Sequence, residues 1–251
     1  MRIFRSSLGL LTLITAFHGA AALAVEVKTK PEVKPEAFQA LSSAPDGDWR
    51  PVKTDARRGI RTWAKMEDDK PWRSFRLEAT LNTTMPALES VFSNFDQYPA
   101  WYWQAMEVRL LKAVSATEFY LYMVQNEPVN LPDRDVVLHV QIEPVTQKHP
   151  FASIRMKAVS DYLPAKPPLV RMKDEELMIT LQPQADGVLL KAEGFTHPGG
   201  VMPLWASNYA QRTAPFAMAV ALERMTLRQA ASGAGTAATS GPKPFRLSLA
   251  Q

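Results

Sequence analysis

Strand-like alternation dominates the middle of the chain. Residues 59–66 (GIRTWAKM) put Ile60, Thr62 and Ala64 on one face and Arg61, Trp63 and Lys65 on the other. In 75–81 (FRLEATL), Phe75, Leu77, Ala79 and Leu81 alternate with Arg76, Glu78 and Thr80. The same period of two runs through 108–114, 118–126, 134–143, 153–161, 174–182 and 188–195. Alternation of this kind, rich in β-branched and aromatic residues and broken by turn residues, predicts antiparallel strands. Asp186-Gly187 marks a hairpin between the last two.

Helical spacing interrupts that rhythm. Residues 86–95 (PALESVFSNF) place Leu88, Val91, Phe92 and Phe95 on one side, with Thr83 or Thr84 as N-cap and Pro86 in the first turn. Residues 98–106 (YPAWYWQAM) predict a short second helix. A long closing helix is predicted over 203–228, with Trp205, Tyr209, Phe216, Ala219, Val220 and Met225 among its apolar positions. Pro215 inside it should kink or split it. Short N-terminal elements, two or three strands, two helices, six strands and one long helix imply an α+β fold. In that fold a curled antiparallel sheet wraps the final helix, an order that suits no βαβ arrangement.

The ends read differently. Arg2 and Arg5 precede an apolar run, LGLLTLITAF at 8–17, and small residues lead to Ala22-Leu23-Ala24. This is the grammar of a secretory signal peptide over 1–24, cleaved after about Ala24. Its apolar run is shorter than the roughly 20 residues of a membrane-spanning helix. The mature protein is therefore expected outside the cytoplasm, in a periplasm. Residues 25–37 read as a charged, proline-punctuated linker, 38–229 as one domain, and 230–251 as a disordered tail opening on AASGAGTAATSGPKP. Within that tail 245–249 (FRLSL) is faintly amphipathic, a frayed end in preference to a docking patch.

Composition narrows the function classes. The chain has 251 residues, 46% of them hydrophobic, which is ample for a packed core and excludes global disorder. It contains no cysteine, which excludes thiolate nucleophiles, Cys-ligated zinc, iron–sulfur clusters and cysteine lipidation, and leaves the redox compartment open. The net charge of +4 falls to +2 once the two leader arginines are gone. No basic block stands out, so nucleic acid is not an expected partner.

Candidate chemistry is sparse. Beyond the leader the histidines are His139, His149 and His197, and none forms an H-E-x-x-H or other close pair. The chain has no G-x-S-x-G elbow, phosphate loop or dinucleotide fingerprint, and Asp133, Glu143 and Asp161 are not spaced as an acid–base pair. No catalytic residue, metal site or cofactor is assigned.

Several strings, in order, resemble the START (StAR-related lipid-transfer) domains, in a bacterial-type secreted form. They are Asp48-Trp49, Gly59-Ile60, residues 75–81, and Trp101 or Trp103 ahead of Met106-Glu107-Val108. After them come Leu131-Pro132-Asp133-Arg134-Asp135, then 197–205 (HPGGVMPLW) with Asn208 following. The resemblance spans roughly 45–228 and implies the helix-grip fold, in which sheet and closing helix enclose an apolar tunnel for one lipid. Strand parity then nominates wall residues: Phe119, Leu121 and Met123 on one strand, Val136, Leu138 and Val140 on the next. Met202, Trp205, Tyr209 and Phe216 are nominated from the closing segment. The same parity would serve a dry core equally well.

Arg134 is nominated as a headgroup partner, although Arg134 and Asp135 could instead clamp the neighbouring loop, the reading we favour. Arg171 is a further polar wall candidate or a surface charge. Sterol-binding relatives carry a polar pair at positions that here are Val140 and Leu121, which points away from sterols. The expected function is non-catalytic binding and transfer of a single lipid by a monomer that touches membranes transiently. The alternatives are a cyclase- or hydrolase-like enzyme using the same cavity, or a ligand-free scaffold.

Overall fold

A computed structural model describes residues 49–66, 73–127, 130–231 and 244–248. The expected signal peptide and linker lie outside these residues. The elements run β1 (Arg50–Asp55), β2 (Ile60–Met66), β3 (Arg73–Leu81), α1 (Met85–Ser93) and a 3₁₀ helix (Phe95–Ala100). Then follow β4 (Ala105–Ala113), β5 (Glu118–Gln125), β6 (Arg134–Glu143) and β7 (Ala152–Ala158). β8 (Val170–Arg171), β9 (Asp174–Gln184), β10 (Gly187–His197) and α2 (Leu204–Ala231) complete the described elements.

All ten strands join one sheet in the order β1-β2-β3-β10-β9-β7-β6-β5-β4, with β8 paired to β6 off that path. Neighbours along the path are antiparallel, and β8 is parallel to β6. The sheet is open, with β1 and β4 as its edges. The expected α+β helix-grip architecture, a curled antiparallel sheet holding a C-terminal helix, is what forms. Gly187 sets the β9–β10 hairpin at φ 142°, and a Cβ there would lie 2.2 Å from the Leu81 carbonyl oxygen.

The main core lies on the concave face, where Leu77, Leu121, Val140, Ile154, Leu177 and Leu190 face α1 and α2. α1 starts as its sequence demands, with the Thr84 hydroxyl accepting from the Ala87 N–H at 3.3 Å and proline in the first turn. α2 is tied to β3 at both ends: Gln211 Oε1 accepts from the Arg73 N–H at 3.1 Å, and Glu223 Oε1 from the Asn82 N–H at 3.3 Å.

Several expectations are corrected. Residues 98–106 do not form a helix: the 3₁₀ turn ends at Ala100 and β4 begins at Ala105. Tyr98 and Trp101 pack tilted at 56° with ring centroids 4.7 Å apart instead, and the Tyr98 hydroxyl donates to the Phe92 carbonyl at 2.9 Å, so aromatic burial replaces a helical ladder. Of the kink or split expected at Pro215 the split does not occur, since α2 runs on through it. The expected disordered tail fails at Ala230 and Ala231, which extend α2, and at 244–248, which docks. There Phe245 and Leu247 are buried, and the Leu247 N–H donates to Glu89 Oε2 at 2.8 Å while its carbonyl accepts from the Val145 N–H. Among the described residues no helix is long and apolar enough to cross a membrane.

Candidate ligand-binding site

Two adjoining cavities lie between the concave sheet and α2. The lower one, about 70 Å³, has a lining without charged side chains. Its floor is a continuous apolar row across the sheet, from Phe75 and Leu77 on β3 through Leu177 on β9 and Met156 on β7 to Val140 and Leu121. Strand register explains the row: Leu77 pairs with Ala192, Ala192 with Ile179, Ile179 with Ile154, and Met156 with Val140. Trp101, Phe245 and the α2 residues Met218, Ala219 and Leu222 close it.

The upper cavity, about 130 Å³, shares Phe75, Tyr102, Leu177, Pro215 and Met218 with the lower one. Its further lining is more polar, with Gln125, Asn126, Glu127, Glu175, Thr196 and Gln211. Glu175 is the outstanding group. It sits on β9 in parity with Leu177 and Ile179, opposite Thr196 on β10. It is 5% exposed, and its Oε2 atom has no hydrogen-bond partner. Burial pushes its carboxyl up to about 7. Burial likewise raises the Tyr102 hydroxyl, with a further rise from the nearby Glu175 charge. Glu127 is also raised by burial, against the lowering pull of Arg134 at 3.7 Å. No lysine, arginine or histidine lines either cavity among the described residues.

No family model matches the chain, and no curated protein sequence matches it. Solved structures do. A STAR-related lipid transfer protein from Xanthomonas axonopodis is 29% identical, with a TM-score of 0.65, covering 72% of this chain and 99% of its own. Human STARD10 is 18% identical with a TM-score of 0.67, covering 82% of this chain and 83% of its own. Human StAR-related lipid transfer protein 5 is 16% identical, with a TM-score of 0.60 and coverages of 77% and 92%. The chain has the fold of a START domain.

Within that START fold the nominated residues divide. Leu121 and Val140 line the lower cavity, and Met202 and Tyr209 the upper one. Phe119, Met123, Val136 and Leu138 are fully buried on the same inner strand faces but belong to the packed core, outside both linings. Phe119 meets Phe95 at 6.0 Å and Phe245 at 5.8 Å, so neighbouring rings fill the space beside it. Trp205 is 58% exposed and lines neither cavity. Phe216 packs under the Lys53 ammonium, 3.6 Å from the ring centroid, and also lines neither.

Both nominated arginines lie outside the two linings and bond to protein groups. Arg134, fully buried, donates from Nε to the Pro198 carbonyl at 3.4 Å and from Nη1 to that of Pro132, beside Glu127. It thereby holds the loop before α2, where Gly199 adopts φ 68° and a Cβ would lie 2.7 Å from the Arg171 carbonyl oxygen. Arg171 grips Asp135 with two bonds of 3.0 and 2.8 Å and donates to the carbonyls of Ser160, Leu163 and Pro164. The clamp reading of Arg134 and Asp135 is the one that this geometry supports. Glu175 was missed by motif reading, although the parity of DEELMIT carries the signal: Glu175 shares a face with Leu177 and Ile179.

Proposed function

We propose that this START-type domain binds one lipid or comparable hydrophobic molecule between its concave sheet and α2, and exchanges it with membranes without chemical conversion. The observation that carries the reading is the uncharged lower cavity adjoining a more polar upper one under the same helix. The lipid-transfer designation of the similar solved proteins agrees with it. Apolar burial supplies the driving force: a 16-carbon chain gains on the order of 10 kcal/mol on leaving water. The two cavities are separate and share the lining of Pro215 and Met218 on α2, so ligand uptake joins them into one tunnel by moving α2.

Val201, Trp205 and Tyr209 are 90%, 58% and 53% exposed beside the upper cavity, an apolar rim suited to a transient membrane contact. The protein is proposed to act as a monomer in a periplasmic compartment after loss of residues 1–24. Transfer of a fluorescent phospholipid between donor and acceptor vesicles tests the function. Transfer that rises in proportion to protein concentration is expected, and a rate no faster than without protein would overturn the reading.

A further inference from the structure

Glu175 stands where an apolar side chain would suit the cavity wall. Its β9 neighbours on the same face, Leu177 and Ile179, line the lower cavity, while Glu175 lines the upper one. A carboxyl that is 5% exposed with an unpartnered Oε2 costs free energy unless a donor meets it. Among the described residues no cation lines the cavity to do so. Arg134 lines neither cavity: its Nε and Nη1 serve the Pro198 and Pro132 carbonyls beside Glu127, its buried Nη2 has no hydrogen-bond partner, and Arg171 is held by Asp135. The rest of the polar lining is made of amides and hydroxyls, among them Gln125, Asn126, Thr196 and Gln211, with Glu127 as a second acid. An anionic headgroup placed here would face the unpaired Glu175 carboxyl and Glu127, whose charge Arg134 offsets, with no positive side chain in the described lining, whereas an O–H or N–H group would find an acceptor waiting. The positions at which sterol-binding relatives place their polar pair, Leu121 and Val140, are part of the apolar lower wall, so Glu175 is a separate device.

We propose that Glu175 is the headgroup-recognising residue of the cavity and selects amphiphiles whose polar end donates a hydrogen bond, an alcohol or an amine, over phosphates and carboxylates. The inference rests on the lipid-binding reading and adds to it the chemical class of the headgroup. The apolar tail lies along Leu177, Val140 and Leu121, which puts the donor beside Glu175 and the Tyr102 ring.

The test uses the full chain and displacement of the uncharged probe N-phenyl-1-naphthylamine by four ligands with one tail: octadecanol, octadecylamine, octadecanoate and octadecyl phosphate. The alcohol and the amine should each bind at least about tenfold more tightly than either anion, the scale of one charge-assisted hydrogen bond. Glu175→Gln keeps an acceptor, so the alcohol should stay within about threefold while the amine loses about tenfold. Glu175→Leu should weaken both donors and bring the anions level with them. Anions that match the donors in the unsubstituted protein, or a ranking unchanged in Glu175→Leu, would overturn the assignment of Glu175. Failure of the probe and of all four ligands to bind would instead overturn the lipid-binding reading beneath it.

Discussion

Two strand acids are buried among the described residues, and they are treated in opposite ways. Asp135 lies on the outward face of β6, fully buried, with both oxygens taken by Arg171. Glu175 lies on the inward face of β9, nearly as buried, with Oε2 unpartnered and no cation lining its cavity among the described residues. A satisfied buried pair specifies geometry: Asp135 and Arg171 fix β8 beside β6 and anchor the turn carrying Ser160, Leu163 and Pro164. An unsatisfied acid on a cavity wall is a cost held in reserve for a ligand. Charge in a strand is therefore no guide to function until its partners are counted.

The largest effect should come from breaking the satisfied pair. Arg171→Leu leaves Asp135 buried alone and three carbonyls without their donor, and should cost about 3–5 kcal/mol of stability. Urea unfolding measures it, and a loss below 1 kcal/mol would show that the pair is not a clamp.

Next comes the pH response of Glu175. Its folded pKa of about 7 lies above the ordinary 4.5, so the folded state holds this proton more firmly than the unfolded chain. Stability from this group is full below about pH 4.5 and is lost as pH rises through about 7, a fall of roughly 3 kcal/mol. The difference between the unfolding free energies of the unsubstituted protein and Glu175→Gln, followed from pH 4 to 8, should trace that fall. Parallel curves would place Glu175 in a solvated or paired setting.

Filling the lower cavity should act on ligand more than on fold. Val140→Phe puts a ring into the free space and should lower octadecanol affinity about tenfold, with an overpacking cost of about 1–3 kcal/mol. Trp205→Ala should have the smallest effect on stability, within about 0.5 kcal/mol by thermal melting, because the ring is 58% exposed. It should slow vesicle transfer while leaving octadecanol affinity unchanged.

The same contrast explains how much was legible beforehand. Period-two alternation found β6 over Arg134–Glu143 at its full length, and parity brought Leu121 and Val140 to the cavity. β1 escaped because RPVKTD has no buried alternate face to betray it. Arg171 read as a polar wall group or a surface charge, because its bonds to Asp135 depend on a two-residue strand pairing with β6, a partner 36 positions away in sequence. Docking of Phe245 and Leu247 across a low-complexity segment is equally non-local. Glu175 was hidden for another reason: between Asp174 and Glu176 it looks like one more solvated acid, and only its face distinguishes it.

The central claim is that this cavity takes up one lipid. Native mass spectrometry of the full chain, after incubation with a mixed membrane lipid extract, tests it most directly. The account predicts one adduct per protein, of lipid mass, diminished in Val140→Phe. A spectrum showing the bare chain alone, or multiple adducts insensitive to Val140→Phe, would contradict it.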